Sequence, residues 1–154
     1  MELEQSHLFA IGILLAWLAG VRVYLTVFGV GLAGMLGWLQ LPDALQATQS
    51  PWVLGTAGSL AVAEFFADKV MWLDSAWDAV HTLVRPIGGA LLALAIVDPG
   101  DPAMQVIAFL LGGGGALLAH GGKAGARAAI NTSPEPVSNI AMSTAEDVAT
   151  VGLM

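Results

Sequence analysis

Apolar stretches and short polar interruptions alternate along the whole chain. The apolar runs are residues 8–20, 23–39, 52–67, 86–97 and 103–120. Between them stand Arg22, the connection 41–51 with its Pro42-Asp43 and Ser50-Pro51 turn signals, and the pair Asp68-Lys69. The sequence Asp98-Pro99-Gly100-Asp101-Pro102 is a strong turn, because proline and glycine interrupt regular structure. A helix needs about 20 apolar residues to cross a bilayer, within a range of roughly 17–25. Residues 103–120 meet that length alone, 52–67 and 86–97 meet it with flanking residues, and 8–20 is short enough to be half a span. Residues 70–83 read as an amphipathic helix at the membrane interface. Residues 121–136 are polar, and 137–154 form a last helix unusually rich in polar groups. The pattern predicts an all-α, polytopic transmembrane helix bundle of about five to six membrane segments, some of them short or broken, in a single domain over 1–154.

Composition agrees. Of 154 residues, 56% are hydrophobic and 11% charged, against roughly 25% charged in soluble domains. The mean hydropathy is +0.76. Too few polar residues exist to coat a soluble domain of this size. Nineteen glycines suit membrane helices, where small residues let backbones approach. A net charge of −7 with no basic stripe argues against a nucleic-acid partner. With no cysteine, disulfides are excluded. Glu2 and Glu4 precede the first apolar run without any Lys or Arg, unlike the start of a cleavable signal peptide.

The basic residues give a topology. Followed through these spans, Lys69, Arg85, Lys123 and Arg127 fall on one side. The connections 41–51 and 98–102, carrying Asp43, Asp98 and Asp101, fall on the other. The positive-inside rule makes the first side cytoplasmic. If residues 8–20 are a separate crossing, Arg22 joins that side and the N-terminus is outside. If 8–39 is one long helix, Arg22 sits at mid-depth and the N-terminus is inside. A short echo, Ala-Gly-x-Arg at 19–22 and again at 124–127, is weak evidence of an internal repeat.

Two stretches carry candidate chemistry. Glu64 and Asp68 share a helical face, as do Asp74, Asp78, His81 and Arg85 at steps of four, three and four. Carboxylates with an imidazole suit a divalent cation, with Glu64, Asp78 and His81 as ligands, or a proton relay. The alternative for 74–85 is the wet side of an interfacial helix, anchored by Trp72 and Trp77. Glu64 sits between apolar neighbours, and ionisable residues inside a span are costly and functional by default. In the second stretch Lys123, Arg127 and Asn131 form one polar stripe, as a gate for charge or as a cytoplasmic loop that binds lipid headgroups. Pro134 and Pro136 end that helix, and Ser138 is the expected cap of the next. The sequon Asn131-Thr132-Ser133 lies on the cytoplasmic side and is discounted. Asn139, Ser143, Glu146 and Asp147 align along the last helix, facing the bundle interior. Gly112–Gly115 let 103–120 pack tightly or break locally, and do not form a phosphate loop. No catalytic triad, His-Glu-x-x-His or cysteine metal motif is present, so an enzyme is the less favoured class.

The strings Ala19-Gly20-Val21-Arg22-Val23-Tyr24-Leu25, Ser50-Pro51-Trp52-Val53-Leu54-Gly55, Glu64-Phe65-Phe66-Ala67-Asp68-Lys69, Asp74–Thr82, Arg85-Pro86, Lys123–Arg127, Asn131–Pro136, Ser138-Asn139 and Glu146-Asp147 resemble the bacterial membrane family called domain of unknown function 4126. The resemblance covers nearly the whole chain and implies that these polar strings are a family hallmark. It also implies a bacterial inner-membrane location and a further apolar helix after the Glu-Asp pair, whereas this sequence stops at Met154.

Three functions follow as expectations. The first is a small transporter or channel-like protein, a homodimer in the bilayer. Its cation or proton site would comprise Glu64, Asp68, Asp74, Asp78, His81, Glu146 and Asp147, balanced or gated by Arg22, Arg85, Lys123, Arg127 and Asn131. The second is binding, or translocation, of an anionic lipid headgroup by those basic residues. The third is a metal-dependent membrane enzyme using Glu64, Asp74, Asp78 and His81.

Overall fold

In the computed structural model, which describes residues 5–132 and 136–154, every regular element is a helix. They are α1 (Gln5–Met35), α2 (Asp43–Gln46) followed by a 3-10 turn (Ala47–Gln49), α3 (Pro51–Ala67), α4 (Met71–Ile96), α5 (Pro102–Asn131) and α6 (Val137–Leu153). Glu2, Glu4, Ser133, Pro134 and Glu135 lie outside the described residues, and so do the N-terminal, sequon and first-proline readings that rest on them.

The helix ends follow local chemistry. Pro51 and Pro102 occupy first-turn positions, where a missing N–H costs nothing. The Asp101 carboxylate caps α5 by accepting the Met104 N–H at 3.0 Å. At the end of α1, Gly37 takes φ +75°, and the Trp38 N–H returns to the Ala33 carbonyl at 2.9 Å. Ser138 lies inside the first turn of α6, after Val137, two positions past the cap residue Pro136.

α1 is not straight. Arg22 has non-helical angles (φ −144°, ψ 78°), and the arms 5–21 and 23–35 fold back on each other there. An unbroken helix of 31 residues would be about 46 Å long. Yet Leu8 and Phe9, near one end, share a cavity wall with Pro42 and Ala44, while Gly34, near the other end, lies against Leu41. Residues 8–20 are therefore a separate arm, with the start of α1 and Arg22 at opposite ends of the bundle. The N-terminal arm starts at the same end of the bundle as the 36–50 and 97–101 connections. Arg22 is the tip of the hairpin.

The other helices pack around this hairpin. Gly58 of α3 faces Phe28, and Leu54 faces Gly31. A Cβ on Gly89 of α4 would stand 3.1 Å from the carbonyl oxygens of both Ala16 and Gly112, so α1, α4 and α5 meet backbone to backbone. Residues 70–83 and 86–97 belong to one helix, α4, which passes through Pro86. Proline has no N–H, so the Thr82 carbonyl lacks its usual helical donor. α5 likewise continues past residue 120 through the polar stretch to Asn131. Its glycine run does not break: Gly112 and Gly113 face α4, while Gly114 and Gly115 meet nothing.

Among the described residues three helices are long and apolar enough to cross a membrane: Ser6–Met35, Met71–Ile96 and Pro102–Asn131, the first being the folded hairpin. The distribution of side chains is inside-out for a water-soluble protein. Trp38, Trp52, Trp72, Leu83 and Leu118 are between 71% and 84% exposed, while Arg22, Arg85, Arg127, Glu64, Asp68 and Asp74 are at most 1% exposed. Water would favour the reverse, and a hydrocarbon surround favours this arrangement.

Candidate functional site

The hairpin tip sits in a layer of charge. Arg22 pairs with Asp68 at the end of α3 and with Glu146 (3.4 Å) and Asp147 (3.0 Å) on α6. Its guanidinium also donates to the Ser143 carbonyl at 3.2 Å. One oxygen of Asp68, Oδ2, faces Arg22, Lys123 (3.1 Å) and Arg127 (3.4 Å) together. Arg127 holds Glu146 through two contacts, at 3.0 and 3.2 Å, and donates to both oxygens of Asn139. This two-pronged grip uses the planar fork that only arginine offers. Asn131 donates to Asp74 at 3.1 Å.

A second knot lies on the α4 side. Arg85 binds Glu64 of α3 at 2.5 Å and Asp78 at 3.1 Å, and reaches Nδ1 of His120 at 2.7 Å. Lys123, 3.8 Å from Asp78 and 3.6 Å from Glu146, joins the two knots. Lys69, at the edge, contacts Ser143 (3.2 Å), Asp147 (4.0 Å) and the Phe65 ring (3.2 Å to its centre).

The cations also close helix ends. Lys123 donates to the Val21 carbonyl at 3.4 Å, the last before the break, and Arg127 to the Asp68 carbonyl at 2.9 Å. Free carbonyls at a helix C-terminus carry partial negative charge, so a cation there is favourable. The break in α1 and the charges around it thus stabilise each other.

All twelve residues expected as a site lie in or beside this layer. His81 stands slightly apart: its Nδ1 is 2.7 Å from the Trp77 carbonyl and its Nε2 is 2.9 Å from the Tyr24 hydroxyl. Arg85 bridges Glu64 and Asp78, and both His81 nitrogens are engaged. Among the described residues no group of three His, Cys, Asp or Glu side chains is placed to hold a metal ion. The face of α4 bearing Asp74, Asp78, His81 and Arg85 is buried, so it is not the wet side of an interfacial helix. Lys123 and Arg127 sit within α5, and only Lys69 of the four orienting basic residues lies in a connection. His120, Tyr24 and Thr82 also belong to the site; of these, His120 has a sequence signal, being three positions before Lys123 on the same stripe. Both Ala-Gly-x-Arg strings deliver their arginine to Asp68 and Glu146, one from a break and the other from a continuous helix.

An apolar helical shell around a closed, multi-helix charge network defines a polytopic membrane protein with an internal polar site. The chain belongs to the family described as Domain of unknown function (DUF4126), whose model matches residues 9–154. No curated protein and no solved structure matches it.

Proposed function

We propose that the protein moves a small monovalent cation, most simply a proton, across the membrane through this network. The carrying observation is an imbalance. Six carboxylates (Glu64, Asp68, Asp74, Asp78, Glu146 and Asp147) meet five basic side chains (Arg22, Lys69, Arg85, Lys123 and Arg127). An unbalanced charge in an apolar interior is costly, so one further positive charge is favoured there. Glu64 Oε2, Asp68 Oδ1, Asp74 Oδ1 and Asp147 Oδ2 are buried without a hydrogen-bond partner and are available to it. The hairpin supports the same reading, since transporters use broken helices to bring backbone dipoles to a buried ion. Headgroup binding is less well supported, because all five basic residues are already paired with interior carboxylates.

Proteoliposomes loaded with a pH-sensitive dye and driven by a potassium diffusion potential test the proposal. The wild type is expected to admit protons, and Asp78→Asn, which removes a carboxylate shared by Arg85 and Lys123, to lose most of that flux. An equal rate from the variant would sink the reading.

The orientation proposed puts the network half toward the cytoplasm and the end with Asp43, Asp98 and Asp101 outside. With no native cysteine, Gln40→Cys and Thr132→Cys, both at exposed positions, report it directly. In intact cells an impermeant maleimide is expected to label the first; labelling of the second alone reverses the assignment. One chain encloses the network, so the flux measurement does not presuppose a dimer.

A further inference from the structure

We infer that His120 is the residue through which proton uptake is coupled to movement: protonation there forces Arg85 off its carboxylates. The inference rests on the cation-transport reading and adds the switch to it. Arginine is a donor only, so the 2.7 Å contact between Arg85 and His120 Nδ1 requires a lone pair on Nδ1. The imidazole is then neutral with its hydrogen on Nε2, which donates to the Thr82 hydroxyl at 3.1 Å. Thr82 passes its own hydrogen to the Asp78 carbonyl at 3.0 Å. Both ends of the ring are fixed, and the side chain is 2% exposed.

Elsewhere in the network a proton can arrive without displacing anything. A carboxylate gains a donor, and at His81 the Tyr24 hydroxyl turns from donor to acceptor while the Trp77 carbonyl still accepts. At His120 this is impossible. A proton bonding to the Nδ1 lone pair sets N–H against N–H, and the Arg85 bond breaks. Arg85 keeps its charge, so the new imidazolium repels it from the place where it holds Glu64 and Asp78.

Groups of both signs face His120: Asp78 of α4 attracts an added positive charge, whereas Arg85 and His81 of α4 and Lys123 of α5 oppose it, with Glu64 of α3 and Glu146 of α6 behind Arg85 and Lys123 as their partners. With His120 charged, six cations balance six carboxylates. The imidazolium can take over a carboxylate that Arg85 releases. α4 is also soft at this level, because Pro86 removes the backbone donor to Thr82.

Nitrogen NMR of the full chain in lipid vesicles, labelled in histidine and arginine, tests the switch. At about pH 8 His120 is expected neutral with its hydrogen on Nε2, and His81 neutral with its hydrogen on Nδ1. Toward about pH 5, the range in which histidine titrates, His120 gains its second hydrogen. The Arg85 side-chain signals shift with the same midpoint. His120→Asn keeps an oxygen to accept from Arg85 but takes no proton, so the Arg85 shift is expected to vanish. A His120 that stays neutral to about pH 5, or an Arg85 shift unchanged in His120→Asn, overturns the inference. Proton flux separates the two ideas. Wild-type flux that persists undiminished in His120→Asn removes the switch and leaves transport standing. The coupled titration in a wild type that passes no protons keeps the switch and removes transport.

Discussion

Asp68→Asn is expected to destabilise the protein by about 3–5 kcal/mol, the cost of removing one partner from a buried ion network. The substitution preserves shape and removes charge from the oxygen that Arg22, Lys123 and Arg127 share. Two effects oppose each other. The network loses its excess negative charge, which is favourable, while three cations lose their common anion. The second wins, because Coulomb energy falls with distance and these contacts are at hydrogen-bond range, whereas the excess is spread over six carboxylates. Asp147→Asn is the control. Asp147 touches Arg22 and Lys69 from the rim, with its side chain 19% exposed, and its loss is expected to cost about 1 kcal/mol or less. Thermal unfolding in one detergent, with all variants side by side, checks the ranking. Equal midpoints for Asp68→Asn and the wild type would mean that the charges are not closed off from water.

The parts that sequence made legible are those that depend on one helix at a time. Asp74, Asp78, His81 and Arg85 had to share a face if their segment was helical, and Lys123, Arg127 and Asn131 likewise. What each face touches depends on other helices. Glu64 and Arg85 are 21 positions apart, and nothing local says that they meet. An amphipathic stripe reads the same beside water as beside charged partners, so 70–83 looked like a surface helix. The hairpin was equally hidden. Residues 8–39 contain no proline, and Arg22 leaves helical geometry where the end of α3 and α6 supply its ion pairs. His120 follows an apolar run and looks like a membrane-edge residue until Arg85 is brought against it.

Gly20 sets the depth of the hairpin, and Gly20→Val is expected to cost at least about 1–3 kcal/mol, the range for forcing extra carbons into a filled core. Even a bare Cβ at this position would lie 2.8 Å from the Cα and carbonyl carbon of Ala116, and closer still to its oxygen. These are backbone atoms of α5, so no side-chain rotation can relieve the overlap. The arm itself must move. Arg22 is two residues on, and its pairs with Asp68, Glu146 and Asp147 are set by where that arm ends. The damage therefore extends from packing to charge, and proton flux falls along with the melting temperature. Gly115→Ala separates this from a general intolerance of larger residues. A Cβ there meets nothing, and in a helix interior alanine is favoured over glycine by about 1 kcal/mol, so that variant is expected to melt at or above the wild-type temperature with unchanged flux. If Gly20→Val behaved like Gly115→Ala, the hairpin would not be seated against α5, and the position of Arg22 would need another cause.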